Sequence, residues 1–213
     1  DVEWASLKKL PPARSPRRCM PRLVVHRNAS TPLFEQGDAS ALPFADDSFD
    51  AVVSQFVLML FEDRVQALRE MWRVLSPGGS LTVAVFDGLN NNQAYASIAD
   101  AYAQHVGPAI GNALRFPFSM GDLDELTSVF EAAGIRGTDI RSIQTDVTFS
   151  SALHLSRADI EGWFPFAGLE VDGQSRTAIV EDLKNLFGAS GGDDDESITF
   201  AVHAHIVRAV KIE

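Results

Sequence analysis

The run from Gly37 to Asp87, in which two short apolar segments flank an amphipathic one, limits most what this chain can fold into. Ala51 to Leu60 is almost continuously apolar and is bounded ahead by Asp46, Asp47 and Ser48. It is too short to span a bilayer, which takes roughly 20 residues. Its length suits a strand covered on both faces, as in a parallel sheet. Asp63 is placed to cap a helix, with Gln66 three residues on to reach back. Val65, Leu68, Met71, Trp72 and Leu75 then recur at helical spacing and make one apolar face. Ser76-Pro77-Gly78-Gly79 is predicted to stop that helix, because proline cannot continue it and glycine accepts a left-handed turn. Leu81 to Phe86 is predicted as a second short strand ending at Asp87. Strand, crossover helix and strand make a right-handed βαβ unit. Open α/β sheets bind ligands at the carboxyl ends of their strands, here around Ser54-Gln55-Phe56 and Phe86-Asp87.

Beyond Asp87 the pattern continues as loops, helices and strands. Gly88 to Gln93 is a polar loop, and Ala94 to Val106 is helical, with Tyr95, Ile98, Tyr102 and His105 at spacings of three and four. Asp122 to Ala133 is a further helix stopped by Gly134, and Ile140 to Phe149 is a strand. Residues 151–188 give two more helices carrying Trp163, Phe164, Phe166 and Phe187, and Ile198 to Ile212 is a long closing strand. His203 and His205 point to one face of that strand, but no Cys, Asp or Glu sits beside them in sequence to complete a zinc set. The acidic run 193–196 lacks the alternation and glycine of a calcium loop. No metal is expected.

With 213 residues, 46% hydrophobic and 22% charged, the chain reads as one globular domain. A net charge of -11 argues against nucleic acid as the main substrate. The first thirty residues nonetheless hold seven basic side chains against two acids, which leaves open a nucleic-acid or membrane tether, or a dock for an acidic partner. The single cysteine, Cys19, excludes an internal disulfide and fits a reducing cytoplasm. The start, Asp1-Val2-Glu3-Trp4, has neither a signal peptide nor an initiator methionine and reads as that of a fragment.

Gly37-Asp38-Ala39, Leu42-Pro43-Phe44, Ser48-Phe49-Asp50, and Arg73-Val74-Leu75 before Pro77-Gly78-Gly79 occur in that order. Together they resemble the class I S-adenosylmethionine (SAM) methyltransferases, most nearly the branch of the ubiquinone and menaquinone C-methyltransferases. The resemblance implies a Rossmann-like α/β fold over residues 37–213. Its sheet would be mostly parallel, a seven-strand design with an antiparallel last strand, helices on both faces and a small helical cap near 88–120 and 151–188. It implies S-adenosyl-L-methionine as cofactor, S-adenosylhomocysteine as product, and a small, partly hydrophobic acceptor. Nucleic acid and membrane are not implied partners, and a homodimer is compatible with the pattern.

Carried over by motif position, Asp38 would accept from the adenine amino group while the Ala39 amide holds a ring nitrogen. Ser54 and Gln55, with Phe56 beside them, would meet the methionine part of the cofactor. Each has a plainer reading: a turn aspartate, a capped strand end, and core packing for Phe56 and Phe61. Tyr95 and His105 fall where related enzymes form a lid and are candidates to position an acceptor or remove a proton; structural roles compete for both.

Residues 1–36 depart from the family pattern. A glycine-rich loop and an acid after the second strand are expected there, yet Gly37 is the sole glycine before Gly78, and His26 follows Leu23-Val24-Val25 where the acid should stand. A frame error in the gene, a degenerate relative and an unrelated arm are three competing explanations. The alternative to an active enzyme is therefore an inactive pseudo-methyltransferase or a damaged product, acting at most as a binding protein.

Overall fold

The computed structural model describes residues 22–25, 33–165, 167–188 and 197–212. The basic arm ahead of Arg22, Cys19, Phe166 and the acidic run 193–196 lie outside the described residues. Among the described residues six strands form two sheets. Strands β1 (Arg22–Val25) and β2 (Leu33–Gln36) pair antiparallel with each other. The main sheet has the order β3 (Phe49–Gln55), β4 (Leu75–Phe86), β6 (Ile198–Val210), β5 (Asp139–Phe149).

This corrects the expected mostly parallel sheet. Among the described residues only β3 and β4 run parallel; β4 with β6 and β5 with β6 are antiparallel, as is the separate β1–β2 pair. The architecture is α/β with a mixed, mostly antiparallel sheet. Apolar runs of equal length look alike in either direction, and direction follows from the connection. The only described crossover of the parallel kind is the one through α1 (Arg64–Arg73). Leu23-Val24-Val25, expected as the second strand of the parallel sheet, belongs instead to the small antiparallel pair.

The βαβ unit forms with two local differences. Asp63 caps α1 as predicted, its Oδ1 accepting from the Gln66 amide at 2.8 Å, but the Gln66 side chain donates to Ser40 O at 3.2 Å rather than reaching back. The helix ends at Arg73, and Ser76-Pro77-Gly78-Gly79 lies inside β4 instead of forming the stop. Gly78, with φ +81, turns the chain there, and its N–H donates to Lys211 O at 2.7 Å while the Lys211 N–H donates to Gly79 O at 3.0 Å. Lys211, just past β6, thereby satisfies the Gly78 N–H and the Gly79 carbonyl by continuing the β4–β6 pairing.

Two cores lie on opposite faces of the sheet, separated by strand parity. Leu81, Val83 and Val85 of β4, with Val207 and Ala209 of β6, join Leu68 and Met71 of α1 and Leu126 and Phe130 of α4 (Leu123–Ala132). Ile198, Phe200 and Val202, of the other parity, face α2 (Gln93–Val106), α3 (Pro108–Arg115), α5 (Ala152–Arg157) and α6 (Gly173–Leu186). A π-helical stretch, Ala158–Trp163, follows α5 directly. The second layer stops short of β3, so Val53 is 66% exposed although Val52 and Ser54 are buried. The strand expected to be covered on both faces is thus covered on one among the described residues. No helix of the described residues is long and apolar enough to cross a membrane.

Candidate functional site

The carboxyl edge of the β3–β4 pair gathers the residues that the motifs single out. β3 ends at Gln55, a 3-10 turn covers Leu58–Leu60, and α1 starts at Arg64, so the first turn of α1 stands at that edge. Gln66, in this first turn, holds Ser40 O and brings the Asp38–Ala41 turn to the same edge. Two residues on, the Leu42 amide donates to Glu70 Oε2 at 2.8 Å. Arg73 closes the brace, with NH1 on Phe44 O at 2.9 Å and NH2 on Leu42 O at 3.1 Å, while Nε and NH2 each reach Glu70 at 2.8 Å. The Arg73 guanidinium holds the Glu70 carboxyl below its ordinary range, and Glu70 and Asp46 push Arg73 upward, so the pair is ionised at any physiological pH.

Asp38 is exposed, and its Oδ1 accepts from the Ser40 amide at 2.8 Å. That is the local turn bond of the plainer reading; it occupies one carboxylate oxygen and fixes the direction of the group. Ala39 packs its methyl against the first core. Ser54 is 3% exposed, and its Oγ has no hydrogen-bond partner. Gln55 is exposed on the opposite face. Phe56 has φ +52, a left-handed backbone that is rare and costly for a bulky side chain. Its amide bonds Ala84 O at 2.9 Å and its ring stacks on Phe86 at 4.4 Å, which together hold it there. Phe86 in turn meets Phe118 at 5.0 Å and Tyr95 at 6.5 Å, so an aromatic wall runs from the end of β3 to the start of α2.

Asp87, at the end of β4, is occupied by its own loop. Its Oδ1 accepts from Gly88 N at 2.6 Å and Oδ2 from Asn91 Nδ2 at 3.0 Å, and His205 Nε2 lies 3.2 Å from Oδ1. His205 also bonds Gly121 O through Nε2 at 3.0 Å and Ser142 Oγ through Nδ1 at 2.9 Å. Buried Asn92 donates to Asp87 O at 2.9 Å and accepts from His203 N at 2.9 Å. This network fixes the 87–92 loop at the edge of the site. It absorbs His205 into structure, while His203 Nε2 meets Gln144 Oε1 at 3.2 Å.

Tyr95 and His105 are not brought together. Ten residues apart on α2, they stand about 15 Å from one another along the axis. His105 Nε2 lies 2.7 Å from Asp182 Oδ2 and ties α2 to α6. Tyr95 faces the aromatic wall, and burial together with the nearby Asp159 carboxylate pushes its hydroxyl up to about 12. It is suited to donate a hydrogen bond rather than to take a proton. The residue that sequence reasoning missed is Asp159 itself. Burial pushes its carboxyl up to about 7. No local pattern signals this, because the groups around it come from a helix more than fifty residues earlier.

Similarity to known proteins falls on the same stretch. The family described as methyltransferase domain matches residues 20–83. The chain is 46% identical over 78 residues to a demethylmenaquinone methyltransferase of Deinococcus radiodurans, covering 37% of this chain and 32% of that protein. It is 32% identical over 146 residues to a demethylmenaquinone methyltransferase of Staphylococcus carnosus, covering 63% and 59%. The chain thus spans about a third to three fifths of the length of these relatives. Among solved structures, a proposed methyltransferase from an antibiotic biosynthesis pathway of Anabaena variabilis shares the fold, with a TM-score of 0.52 at 15% identity over 80% of this chain and 70% of that one.

Proposed function

We propose, for a chain whose residues 20–83 belong to the methyltransferase domain family, that it transfers a methyl group from S-adenosyl-L-methionine to a small, partly hydrophobic acceptor. The observation that carries this reading is the placement of the Asp38–Ala41 turn, which α1 pins through Gln66, Glu70 and Arg73 at the carboxyl edge of β3 and β4. Ligands of open α/β sheets bind at that edge. The names of the relatives add a quinone to the candidate acceptors.

The residues present suit the adenine end of the cofactor. Asp38 is exposed and carries an acceptor where an exocyclic amine would be read, and the Ala39 amide follows it in the same braced turn. When bound, the cofactor supplies an electrophilic methyl group on a sulfonium centre. The chain's own contribution is to orient and to exclude water. Gln55 ends β3 beside the strained Phe56, and the stacked Phe56 and Phe86 rings close one side. Tyr95, neutral throughout the physiological range, offers a hydrogen bond to an acceptor oxygen, and the elements of the second core form the cap. Holding two reactants in line supplies about 7–11 kcal/mol of such a barrier without a covalent intermediate.

The test is a calorimetric titration with S-adenosylhomocysteine. Micromolar binding that is lost in Asp38→Ala supports the reading. A folded protein that gives no heat at millimolar ligand overturns it in favour of a chain that keeps the fold without the cofactor.

A further inference from the structure

His205 is held at both ring nitrogens, and the bonds that tie it into the fold also decide where its proton sits. Nε2 lies 3.0 Å from Gly121 O and 3.2 Å from Asp87 Oδ1. A carbonyl oxygen can only accept, so Nε2 carries the hydrogen, and in the neutral ring Nδ1 is left with a bare lone pair. Nδ1 lies 2.9 Å from Ser142 Oγ. The Ser142 hydroxyl therefore donates to it. Asp87 is itself oriented, its Oδ1 accepting from Gly88 N at 2.6 Å and its Oδ2 from Asn91 Nδ2 at 3.0 Å. Hydroxyl, imidazole and carboxyl thus stand in the order of a nucleophile, its base and the group that orients the base, with the two ring nitrogens exchanged relative to the serine-protease arrangement.

Strand register adds a further element. His203 O accepts from Asp87 N at 3.0 Å, so the odd-numbered residues of β6 turn their backbone polar groups towards β4. Ser142 and His205 are directly opposed on β5 and β6, and they form a pair without mutual backbone bonds, the kind in which side chains come closest. By the same parity the Ser142 N–H points to the outer edge of β5, where no described strand pairs with it. Ser142 is exposed, whereas His205 and Asp87 are 2% and 7% exposed. The nucleophile is open, the base is shielded, and a backbone N–H stands beside Oγ to meet a developing oxyanion.

We propose that Ser142 and His205, with Gly121 O and Asp87 holding the ring, form a second reactive centre that takes an acyl group from a small ester. The Ser142 proton passes to Nδ1 as Oγ bonds the carbonyl carbon and the C=O π pair moves onto oxygen. That pair returns, the ester C–O bond breaks, and the leaving alcohol takes the proton from Nδ1. Water repeats both steps on the acyl-serine and restores the hydroxyl, so ester and water give acid and alcohol. The centre is independent of the methyltransferase reading.

The test treats the full chain with a fluorophosphonate and reads the labelled residues by peptide mass spectrometry. Ser150 is the matched control, exposed, with Oγ 2.9 Å from His154 Nδ1 and no carboxylate paired to that ring among the described residues. In the native chain Ser142 is labelled about a hundredfold faster than Ser150, and the two rates become equal in urea. His205→Gln keeps a side-chain amide for Gly121 O and lowers Ser142 labelling to the Ser150 rate. If a thermal melt shows that variant unfolded, the native and urea ratios of the wild type decide alone. With p-nitrophenyl acetate the wild type gives a burst of p-nitrophenolate that Ser142→Ala abolishes. Equal native rates at the two serines, a ratio that persists in urea, a folded His205→Gln labelled as fast as the wild type, or a burst that survives Ser142→Ala each overturns the proposal.

Discussion

Replacing Asp159 with asparagine should change how stability depends on pH. The carboxyl is pushed from an ordinary 3.8 up to about 7 by burial, with the Tyr102 hydroxyl opposing the shift. Between those values the folded chain holds a proton that the unfolded chain has released, so the wild type loses stability as pH rises and levels off above about 7. At about 1.4 kcal/mol per unit, the complete loss is roughly 4 kcal/mol. Between about pH 5 and about pH 8, the part an experiment can span, it is about 2–3 kcal/mol. The groups set against Asp159 are Tyr95 and Tyr102 from α2; Arg176 from α6 acts on Tyr102, and Glu161 on the helical stretch of Asp159 pairs with Arg176 at 3.0 Å. Both tyrosines are pushed upward and stay neutral over this range, and the arginine stays charged, so none of them adds a slope. Asp159→Asn cannot ionise; every other titration is shared and cancels in the difference. Urea denaturation of both proteins at the two pH values measures that difference, which should move by about 2–3 kcal/mol in favour of the variant at the higher pH. Curves that remain parallel within about 0.5 kcal/mol would refute the buried-carboxyl argument.

Gly121→Ala should be severe, because its Cβ would collide with Gly88 N, a backbone atom of the loop that Asp87 and Asn92 hold. A cost of about 3 kcal/mol or more is expected in a thermal melt. Gly162→Ala, whose Cβ meets nothing within 4 Å, serves as the near-neutral control, and equal melting points would dismiss the close-approach account. Arg73→Ala should destabilise by about 1–3 kcal/mol and speed amide exchange in the segment from Leu42 to Ser48, since it removes the bonds to Glu70, Asp46, Phe44 and Leu42. Exchange as slow as in the wild type would show that the loop is held by its apolar contacts alone.

Much of the main chain's order was legible in advance. Helix periodicity and caps are local, so Asp63 caps α1 as its spacing predicts, its carboxylate accepting from Gln66 N at 2.8 Å, and the helix expected from Asp122 forms with Asp122 itself as the cap, accepting from Glu125 N at 2.8 Å. The spaced Gly37–Asp38, Leu42-Pro43-Phe44 and Arg73 signatures gain a physical meaning in the brace, where Arg73 reads the carbonyls of Leu42 and Phe44 across some thirty residues. Strand direction was not legible, because burial pattern reports faces and not polarity. The fate of Ser76-Pro77-Gly78-Gly79 was not either, since the Lys211 backbone that pairs with it arrives from the far end of the chain.

The site divides in the same way. The sequence by itself determined the alternation that sorts β4 and β6 into two cores, the helix that crosses over, and the motif that places an acidic turn ahead of β3. Those depend on spacing within a few turns of chain. Only the tertiary structure decided that Phe56 takes a left-handed backbone beneath Phe86, that His205 is consumed by Ser142, Gly121 and Asp87, and that His105 is taken up by Asp182 of α6. It also decided that Asp159 meets two tyrosine hydroxyls in a closed interior. A carboxylate's desolvation is the sum of what every surrounding element contributes, and those elements become neighbours only when the chain has folded.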